Sequence, residues 1–163
     1  MHLDPQLDTL SRLVGEHLAA RGWRLATAES CTGGWAAQVV THTAGSSAWF
    51  ERGFVTYAND AKVGMLGVSE TTLAGHGAVS PETAAEMAAG ALNHSNAMIS
   101  LAITGIAGPT GGSPDKPVGT VCFAWCRRGG TPETDRQVYS GNREAVRRQA
   151  VIHALEELLR RAT

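Results

Sequence analysis

The spacing of apolar residues predicts an amphipathic helix at each end of the chain. The apolar positions of the first helix recur at steps of three and four residues, at Leu7, Leu10, Val14 and Leu18. Asp4 can cap this helix, Pro5 suits its first position, and Gly22 ends it. The last helix starts after Asn142 and has its apolar positions at Val146, Ala150, Ala154, Leu155, Leu158 and Leu159. Both patterns match the period of one helix face.

Between these two helices, the pattern predicts strands that alternate with shorter helices. The predicted strands are Arg24 to Glu29, Trp49 to Tyr57, Ala97 to Thr104, Val118 to Cys126 and Thr134 to Ser140. The predicted helices begin at about Trp35 and span Asn59 to Leu66, Glu70 to Ala74, and Pro81 to about Asn93. The third strand is apolar throughout, which is typical of a central strand covered on both faces. We therefore expect an α/β fold, a single domain over residues 1–163 whose mixed sheet is covered by helices on both faces, with a hairpin at one edge.

Composition agrees with one ordinary domain and excludes several classes of partner. The chain has 163 residues, of which 43% are hydrophobic and 18% charged, enough for a sizeable core. Its formal net charge of -1 gives no electrostatic reason to bind nucleic acid or an anionic membrane. The first residues lack the pattern of a signal peptide, and the longest apolar run, Ala97 to Gly108, is shorter than the roughly 20 residues of a bilayer span. A cytoplasmic protein is expected.

Cysteine and histidine usage gives no sign of a metal site or of disulfide bonds. Three cysteines are an odd number, and Cys122 and Cys126 alternate with apolar residues as in a buried strand. We therefore expect reduced structural thiols. The six histidines are scattered, without paired ligand spacing, so no structural metal is expected.

The segment Ala28–Gly34 is the first candidate for chemistry, because it lies where a predicted strand ends and a helix begins. Open α/β sheets bind ligands at such places, where the helix offers unpaired N–H groups and the two glycines admit a close approach to the backbone. Ser30 is the natural nucleophile. The alternative is that Ser30 or Thr32 only caps the helix, and Cys31 is a rival nucleophile without an evident histidine partner.

A serine nucleophile needs a base, and no histidine–aspartate arrangement is evident. Lys62 is the candidate base through a serine–lysine arrangement, provided that burial or a neighbouring cation keeps its amine neutral. The alternative is a solvated surface lysine. Lys62 and Lys116 are the only lysines in the chain, so neither belongs to a lysine-rich surface.

Two further segments could bind an anion. The glycine-rich loop Gly105–Pro114 follows the predicted central strand and could hold a phosphate or an oxyanion on its N–H groups, but it matches no nucleotide-binding fingerprint and could be an ordinary surface loop. In the last helix, Arg143, Arg147 and Arg148 occupy the first turns, where the helix dipole disfavours cations. An anion bound between Arg143 and Arg147 would resolve this conflict, and pairing with Glu144 or another acid is the alternative.

Motifs along nearly the whole chain, from about Leu7 to Leu159, resemble the C-terminal domain of the CinA (competence/damage-inducible protein) family. The matching segments are Ala28-Glu29-Ser30-Cys31-Thr32-Gly33-Gly34, Gly45-Ser46-Ser47, Tyr57-Ala58-Asn59 with Lys62, Leu66-Gly67-Val68, Gly77-Ala78-Val79-Ser80, Thr104-Gly105-Ile106-Ala107-Gly108-Pro109, Lys116-Pro117-Val118-Gly119 and Gly141-Asn142-Arg143. Stand-alone members of this family include nicotinamide mononucleotide deamidases, and we expect no counterpart of the N-terminal domain found in its longer members.

The resemblance implies hydrolysis of the carboxamide of nicotinamide mononucleotide to nicotinate mononucleotide and ammonia, in pyridine-nucleotide salvage. It implies that Ser30 attacks the amide carbon, that Lys62 takes the serine proton, and that Tyr57 orients the lysine or passes the proton on. Backbone N–H groups at Gly33, Gly34 or Gly105 would hold the oxyanion. The implied substrate-binding residues are Thr32, Gly33, Gly34, Thr104, Gly105, Gly108 and Arg143. No metal and no organic cofactor is required, and a homodimer or higher homo-oligomer is expected.

Two other functions fit the same sequence. One is a non-catalytic binding module in competence or DNA-damage responses, and the other is an amidase or esterase of different specificity with the same serine–lysine pair. Trp35, where a smaller aliphatic residue is usual in the family, and Trp49 could reshape the pocket and change substrate preference.

Overall fold

Five strands and six α-helices make up residues 3–162, the part of the chain that this computed structural model describes. The strands are β1 (Leu25–Glu29), β2 (Phe50–Val55), β3 (Ile99–Gly105), β4 (Thr120–Arg127) and β5 (Glu133–Val138). The helices are α1 (Pro5–Arg21), α2 (Trp35–His42), α3 (Asn59–Leu66), α4 (Glu70–His76), α5 (Pro81–Asn93) and α6 (Arg143–Arg161). Residues 1, 2 and 163, which the expected domain and the interpretation of the N-terminus include, lie outside the described residues.

The five strands form one mixed sheet in the order β2-β1-β3-β4-β5. Strand β1 runs parallel to both β2 and β3, whereas β4 is antiparallel to β3 and to β5. The predicted α/β class, the mixed sheet and the hairpin at one edge are therefore confirmed. Because β1, β2 and β3 are parallel, their carboxyl ends meet at the same side of the sheet, where ligand sites of open α/β sheets form.

Helices cover both faces of the sheet, as predicted, and the two faces differ in side-chain size. The face under α1, α2 and α6 carries large residues such as Leu101, Phe123 and Trp125. The opposite face, under α3 and α5, carries small residues such as Ala28 and Ala102. Small side chains let α5 approach the sheet closely, and the central strands are buried along nearly their whole length.

Local signals set the helix ends largely where the sequence predicts them. The Asp4 side chain accepts a hydrogen bond from the N–H of Leu7, and Gly22 ends α1 in the left-handed conformation at φ 66°. Strand β4, however, starts at Thr120 and not at Val118. Gly119 lies at φ 98° and the Thr120 N–H bonds to the Pro117 carbonyl, so a tight turn precedes the strand.

Three further properties concern residues 3–162. None of their helices is both long and apolar enough to cross a membrane. No group of three or more histidine, cysteine, aspartate or glutamate side chains in this range is placed to hold a metal ion. Cys31, Cys122 and Cys126 are all free thiols, and all three are buried.

Candidate active site

A cavity of about 280 Å³ opens at the carboxyl ends of the three parallel strands. Ser30 follows β1, Tyr57 lies just beyond β2, and Gly105 ends β3, so each strand supplies one part of its wall. Seven of the predicted site residues line this cavity: Ser30, Tyr57, Lys62, Thr104, Gly105, Gly108 and Arg143. Thr32, Gly33 and Gly34 do not line it and lie instead along a second groove beside α6.

Ser30 and Lys62 are in direct contact at the base of this cavity. Lys62 Nζ donates a hydrogen bond to Ser30 Oγ over 3.0 Å, although 32 residues separate the two in the chain. The same Nζ donates to the carbonyl oxygens of Thr56 at 2.9 Å and Tyr57 at 3.4 Å. Three acceptors therefore fix the amine in one position beside the serine hydroxyl, in the geometry of a nucleophile and its base.

Burial changes the protonation of Lys62. The whole residue is only 1% exposed, and no carboxylate of the described residues lies within ion-pair distance of its amine. Loss of hydration disfavours the charged ammonium, so burial lowers the pKa of Lys62 below its ordinary value of 10.5. A neutral amine next to a hydroxyl can accept its proton, whereas the ammonium cannot. The alternative of a solvated surface lysine is excluded.

The turn after β1 differs from the expected open helix terminus. The carboxylate of Glu29, which is fully buried, accepts hydrogen bonds from the N–H groups of Ala36 at 2.8 Å and Ala37 at 3.1 Å. The Thr32 hydroxyl also donates to this carboxylate, at 2.6 Å. The N–H groups at the start of α2 are thus paired with an internal acid. The sequence predicts instead that these N–H groups bind a ligand or are capped by Ser30 or Thr32. A buried glutamate has no periodic signature, which is why the pattern did not single it out.

The two glycines of this turn serve its backbone conformation. Gly33 and Gly34 have φ of 59° and 100°, values that glycine adopts at no steric cost. The Gly33 N–H donates to the carbonyl of Ser30 at 3.0 Å. That N–H is therefore already paired, and neither glycine faces the cavity where an oxyanion would form.

Arg143 and Tyr57 form a second polar pair, at the mouth of the cavity. The guanidinium of Arg143 donates to the Gly108 carbonyl at 2.8 Å and to the Tyr57 hydroxyl at 2.7 Å. Tyr57 is 58% exposed, and only its backbone carbonyl contacts Lys62. The tyrosine hydroxyl is thus placed to orient Arg143, and the contact of Tyr57 with Lys62 is made by its backbone carbonyl.

Arg143 and Arg147 do not share one anion site. Arg147 donates to the carbonyls of Cys31 at 3.0 Å and Thr32 at 3.2 Å, outside the cavity. Arg148 instead pairs with the carboxylate of Asp4 at 2.8 Å. Each arginine at the start of α6 has its own acceptors, and the acid that pairs there is Asp4 and not Glu144.

Several cavity residues were not named individually as catalytic or substrate-binding residues, although Cys31 was considered as a rival nucleophile and four of the others belong to the candidate loop Gly105–Pro114. They are Cys31, Asn59, Ala78, Val79, Ile106, Ala107, Thr110 and Gly111. Most of them fall inside the matched motifs, which is the signal that could have found them. Burial raises the pKa of the Cys31 thiol to about 12, which disfavours it as a rival nucleophile. Neither Trp35 nor Trp49 lines the cavity, so the expected reshaping of the pocket is not observed.

A buried serine–lysine pair lies at the carboxyl ends of the parallel strands of this α/β protein, with the spacing that a nucleophile and its base require. Comparison with known proteins gives the family: the chain matches the CinA C-terminal domain over residues 7–162, and it belongs to that family. It is 58% identical over 155 residues to the nicotinamide-nucleotide amidohydrolase PncC of Escherichia coli K12, covering 95% of this chain and 94% of that protein.

Two further comparisons agree with this family. The chain is 49% identical to the nicotinamide-nucleotide amidohydrolase PncC of Pseudomonas putida, with 99% of each chain covered. Its fold matches the crystal structure of the competence/damage inducible protein CihA of Agrobacterium tumefaciens with a TM-score of 0.95, 47% identity and 98% of each chain covered. Sequence and fold thus agree over nearly the full length.

Proposed function

We propose that this protein is a nicotinamide-nucleotide amidohydrolase that converts nicotinamide mononucleotide to nicotinate mononucleotide and ammonia, in pyridine-nucleotide salvage. The observation that carries the proposal is the 3.0 Å contact between Lys62 Nζ and Ser30 Oγ inside a cavity. The relatives that bear this activity in their names match almost the whole chain. The cytoplasm, where such salvage takes place, is the proposed location, and a homodimer or higher homo-oligomer is the proposed assembly.

In the proposed mechanism, neutral Lys62 takes the proton of Ser30 as the serine oxygen attacks the amide carbon. The new C–O bond gives a tetrahedral intermediate. Lys62 then returns the proton to the nitrogen, the C–N bond breaks, and ammonia leaves. Water attacks the resulting serine ester while Lys62 again accepts a proton. The ester C–O bond then breaks and Lys62 returns this proton to Ser30 Oγ, which releases nicotinate mononucleotide and restores Ser30. Every proton is accounted for by the serine, the lysine and water.

The cavity suits a small anionic substrate. Its volume of about 280 Å³ is just below the roughly 300–1,000 Å³ typical of ligand pockets, which favours a mononucleotide over a dinucleotide. Arg143 brings positive charge to the mouth of the cavity and is the proposed contact for the anionic part of the substrate. Backbone N–H groups of Cys31 and of the wall formed by Gly105 and Gly108 are the proposed oxyanion donors, and Thr104 supports this wall through its bond to the Ala78 carbonyl at 2.8 Å.

The test is ammonia release from nicotinamide mononucleotide by the purified protein, with nicotinate mononucleotide measured in parallel. We expect the wild type to release both products in equal amounts and Ser30→Ala to lose at least about 1,000-fold in kcat, as when a nucleophile is removed. Ser46→Ala, on the short turn before β2 and outside the cavity, is the matched control and should retain full activity.

The outcomes separate the remaining alternatives. A folded wild type that releases no ammonia from this nucleotide but hydrolyses other amides or esters would indicate a serine–lysine amidase of different specificity. A folded wild type without any hydrolytic activity would favour the binding module. Full activity in Ser30→Ala would overturn the mechanism while leaving the reaction in place.

A further inference from the structure

We propose that Glu29 is a positioning residue, whose carboxylate fixes the turn that carries the nucleophile. The proposal rests on the proposed function, since it assigns a role in the reaction of Ser30. Glu29 itself does not line the cavity and touches neither substrate nor reacting atoms. It acts through the backbone that holds Ser30.

The burial of the Glu29 carboxylate is costly. Glu29 is fully buried, and among residues 3–162 no lysine, arginine or histidine forms an ion pair with it. A buried carboxylate is expensive unless hydrogen bonds replace its hydration. At the start of a helix, an exposed serine or aspartate would cap the N–H groups at lower cost. Capping alone therefore does not explain why a buried acid occupies this position.

The three hydrogen bonds to the Glu29 carboxylate come from two different segments of the chain. The Thr32 hydroxyl belongs to the turn, whereas the N–H groups of Ala36 and Ala37 belong to the first turn of α2. One carboxylate therefore ties the strand end, the turn and the helix together. Ser30 lies inside this closed loop, directly after Glu29.

The backbone of Glu29 is also linked to the proposed base, Lys62. Its carbonyl accepts the N–H of Thr56 at 2.8 Å, and the carbonyl of Thr56 accepts Lys62 Nζ at 2.9 Å. Two hydrogen bonds thus link Glu29 to the lysine, while one peptide bond links it to the serine. A misplacement of reacting groups by about 1 Å can cost about 100-fold in rate. A movement of the Glu29 backbone would therefore change the 3.0 Å distance between Lys62 Nζ and Ser30 Oγ directly.

The Glu29 carboxylate also interacts with the positive end of the α2 dipole. The positive end of this helix faces the Glu29 carboxylate, as its bonds to Ala36 and Ala37 indicate, and charge compensation there leaves little field for the cavity. Glu29 therefore aligns the turn at the expense of helix-dipole assistance to the oxyanion.

The test compares kcat and KM in Glu29→Gln, Thr32→Val and Thr32→Ser. A glutamine keeps one acceptor oxygen but turns an NH₂ group towards an N–H donor, and a valine removes the hydroxyl of Thr32 while keeping its shape. We expect kcat to fall about 10- to 100-fold in Glu29→Gln and about 3- to 10-fold in Thr32→Val, with KM within about twofold of wild type, because the cavity walls are unchanged. Thr32→Ser keeps the hydroxyl that Thr32→Val removes, and it should retain most of the wild-type kcat.

Thr41→Val is the matched control, because Thr41 also lies in the α2 region but its hydroxyl bonds to carbonyls of its own helix, at Ala37 and Gln38. It should keep the wild-type kcat. Circular dichroism and thermal unfolding check that each variant is folded, and kcat is calculated per folded molecule. Wild-type kcat in folded Glu29→Gln, or equal kcat in Thr32→Ser and Thr32→Val, overturns the proposal.

A second measurement is independent of the proposed substrate. Phenylmethylsulfonyl fluoride reacts with an activated serine, and mass spectrometry follows sulfonylation of Ser30 with loss of fluoride. If the wild type is sulfonylated but does not hydrolyse nicotinamide mononucleotide, the proposed function fails, and slower sulfonylation of Glu29→Gln still supports positioning. Equal sulfonylation rates overturn it. A wild type that shows neither reaction overturns both proposals, since Ser30 is then not a nucleophile.

Discussion

At the scale of single residues, burial of Lys62 predicts how activity depends on pH. Only the neutral amine can accept the serine proton, and burial lowers the pKa of Lys62 below 10.5. We therefore expect kcat/KM to rise with pH on a limb whose midpoint lies below 10.5, and to fall as Lys62 is protonated at lower pH. The pH–rate profile of ammonia release measures this limb.

Substitution of each of the two lysines by arginine completes this test. Lys62→Arg should lose at least about 100-fold in activity at every pH, because a guanidinium stays protonated. Lys116→Arg should remain active, since the side-chain amine of Lys116 bonds to the His76 carbonyl and an arginine can replace that donor. A profile without an acid limb, or an active Lys62→Arg, would remove Lys62 from its role as base.

Arg143 and its tyrosine partner predict a change in substrate affinity. Arg143→Ala removes the cation at the mouth of the cavity, and a charged hydrogen bond contributes about 1.5–3 kcal/mol. KM should rise by about 10- to 100-fold, with a smaller change in kcat. Tyr57→Phe removes only the hydroxyl that accepts from Arg143, so its KM should rise by no more than about fivefold.

Steady-state kinetics with nicotinamide mononucleotide measure both variants, and Arg12→Ala, at an exposed pair with Asp8 on α1, is the control. Should Arg143→Ala lower kcat and leave KM unaltered, the arginine acts on the reaction step and not on binding of the anion.

The sequence predicts Ser30 as the nucleophile and Lys62 as its base, from the turn after a predicted strand and from the scarcity of lysine. It could not bring them together, since only the fold spans the 32 residues between them. It missed Glu29, because a buried acid whose donors are backbone N–H groups leaves no charged partner in the sequence. It did not indicate that Tyr57 contacts Lys62 through its carbonyl while its hydroxyl bonds to Arg143, because side-chain direction at a strand end does not follow from spacing.

At the scale of elements, the packing of α3 on α5 positions the base and predicts the effect of two glycine substitutions. A Cβ on Gly90 of α5 would overlap the carbonyl oxygen of Leu66 at the end of α3. Gly90→Ala should therefore lower the free energy of unfolding by about 1–3 kcal/mol, and shift the helix that carries Lys62, which lowers kcat.

Gly64→Ala is the matched change on α3 itself. A Cβ there meets no atom within 4 Å, so the higher helix propensity of alanine should raise the free energy of unfolding by about 0.5–1 kcal/mol without loss of kcat. Urea unfolding measures both variants. A stable, fully active Gly90→Ala would show that the contact between these helices does not control the site.

The existence and type of the elements followed from apolar spacing, whereas several boundaries did not. Strand β5 spans Glu133–Val138, one residue earlier at its start and two residues shorter at its end than predicted. It is an edge strand with charged residues, so the alternation of apolar and polar residues that marks a strand is weak there. The glycines of the nucleophile turn, Gly33 and Gly34, were assigned to ligand approach, yet their positive φ values show that turn geometry requires them.

At the scale of the whole molecule, sheet topology explains why residues from distant segments converge. The order β2-β1-β3 places three parallel carboxyl ends side by side, and α6 then returns to bring Arg143 to the same edge. The sequence predicted a mixed sheet with a terminal hairpin, and both are confirmed. Strand order could not be predicted, because it depends on long-range pairing that no local pattern encodes.

The burial of all three thiols predicts resistance to alkylation in the native protein. The reactive form is the thiolate, and burial raises the pKa of Cys31 to about 12 and that of Cys122 to about 11, with Cys126 shifted in the same direction. At pH 8 each is almost entirely the unreactive thiol. Iodoacetamide should therefore leave activity intact, and three thiols should react only after denaturation, as mass spectrometry can count.

This experiment also separates the two possible nucleophiles of the turn. Cys31 follows Ser30 directly and lines the same cavity. If Cys31 were the nucleophile, activity would fall in step with its alkylation, and Cys31→Ala would be inactive. With Ser30 as the nucleophile, Cys31→Ala should keep kcat within about threefold, because a small apolar side chain replaces a small buried thiol.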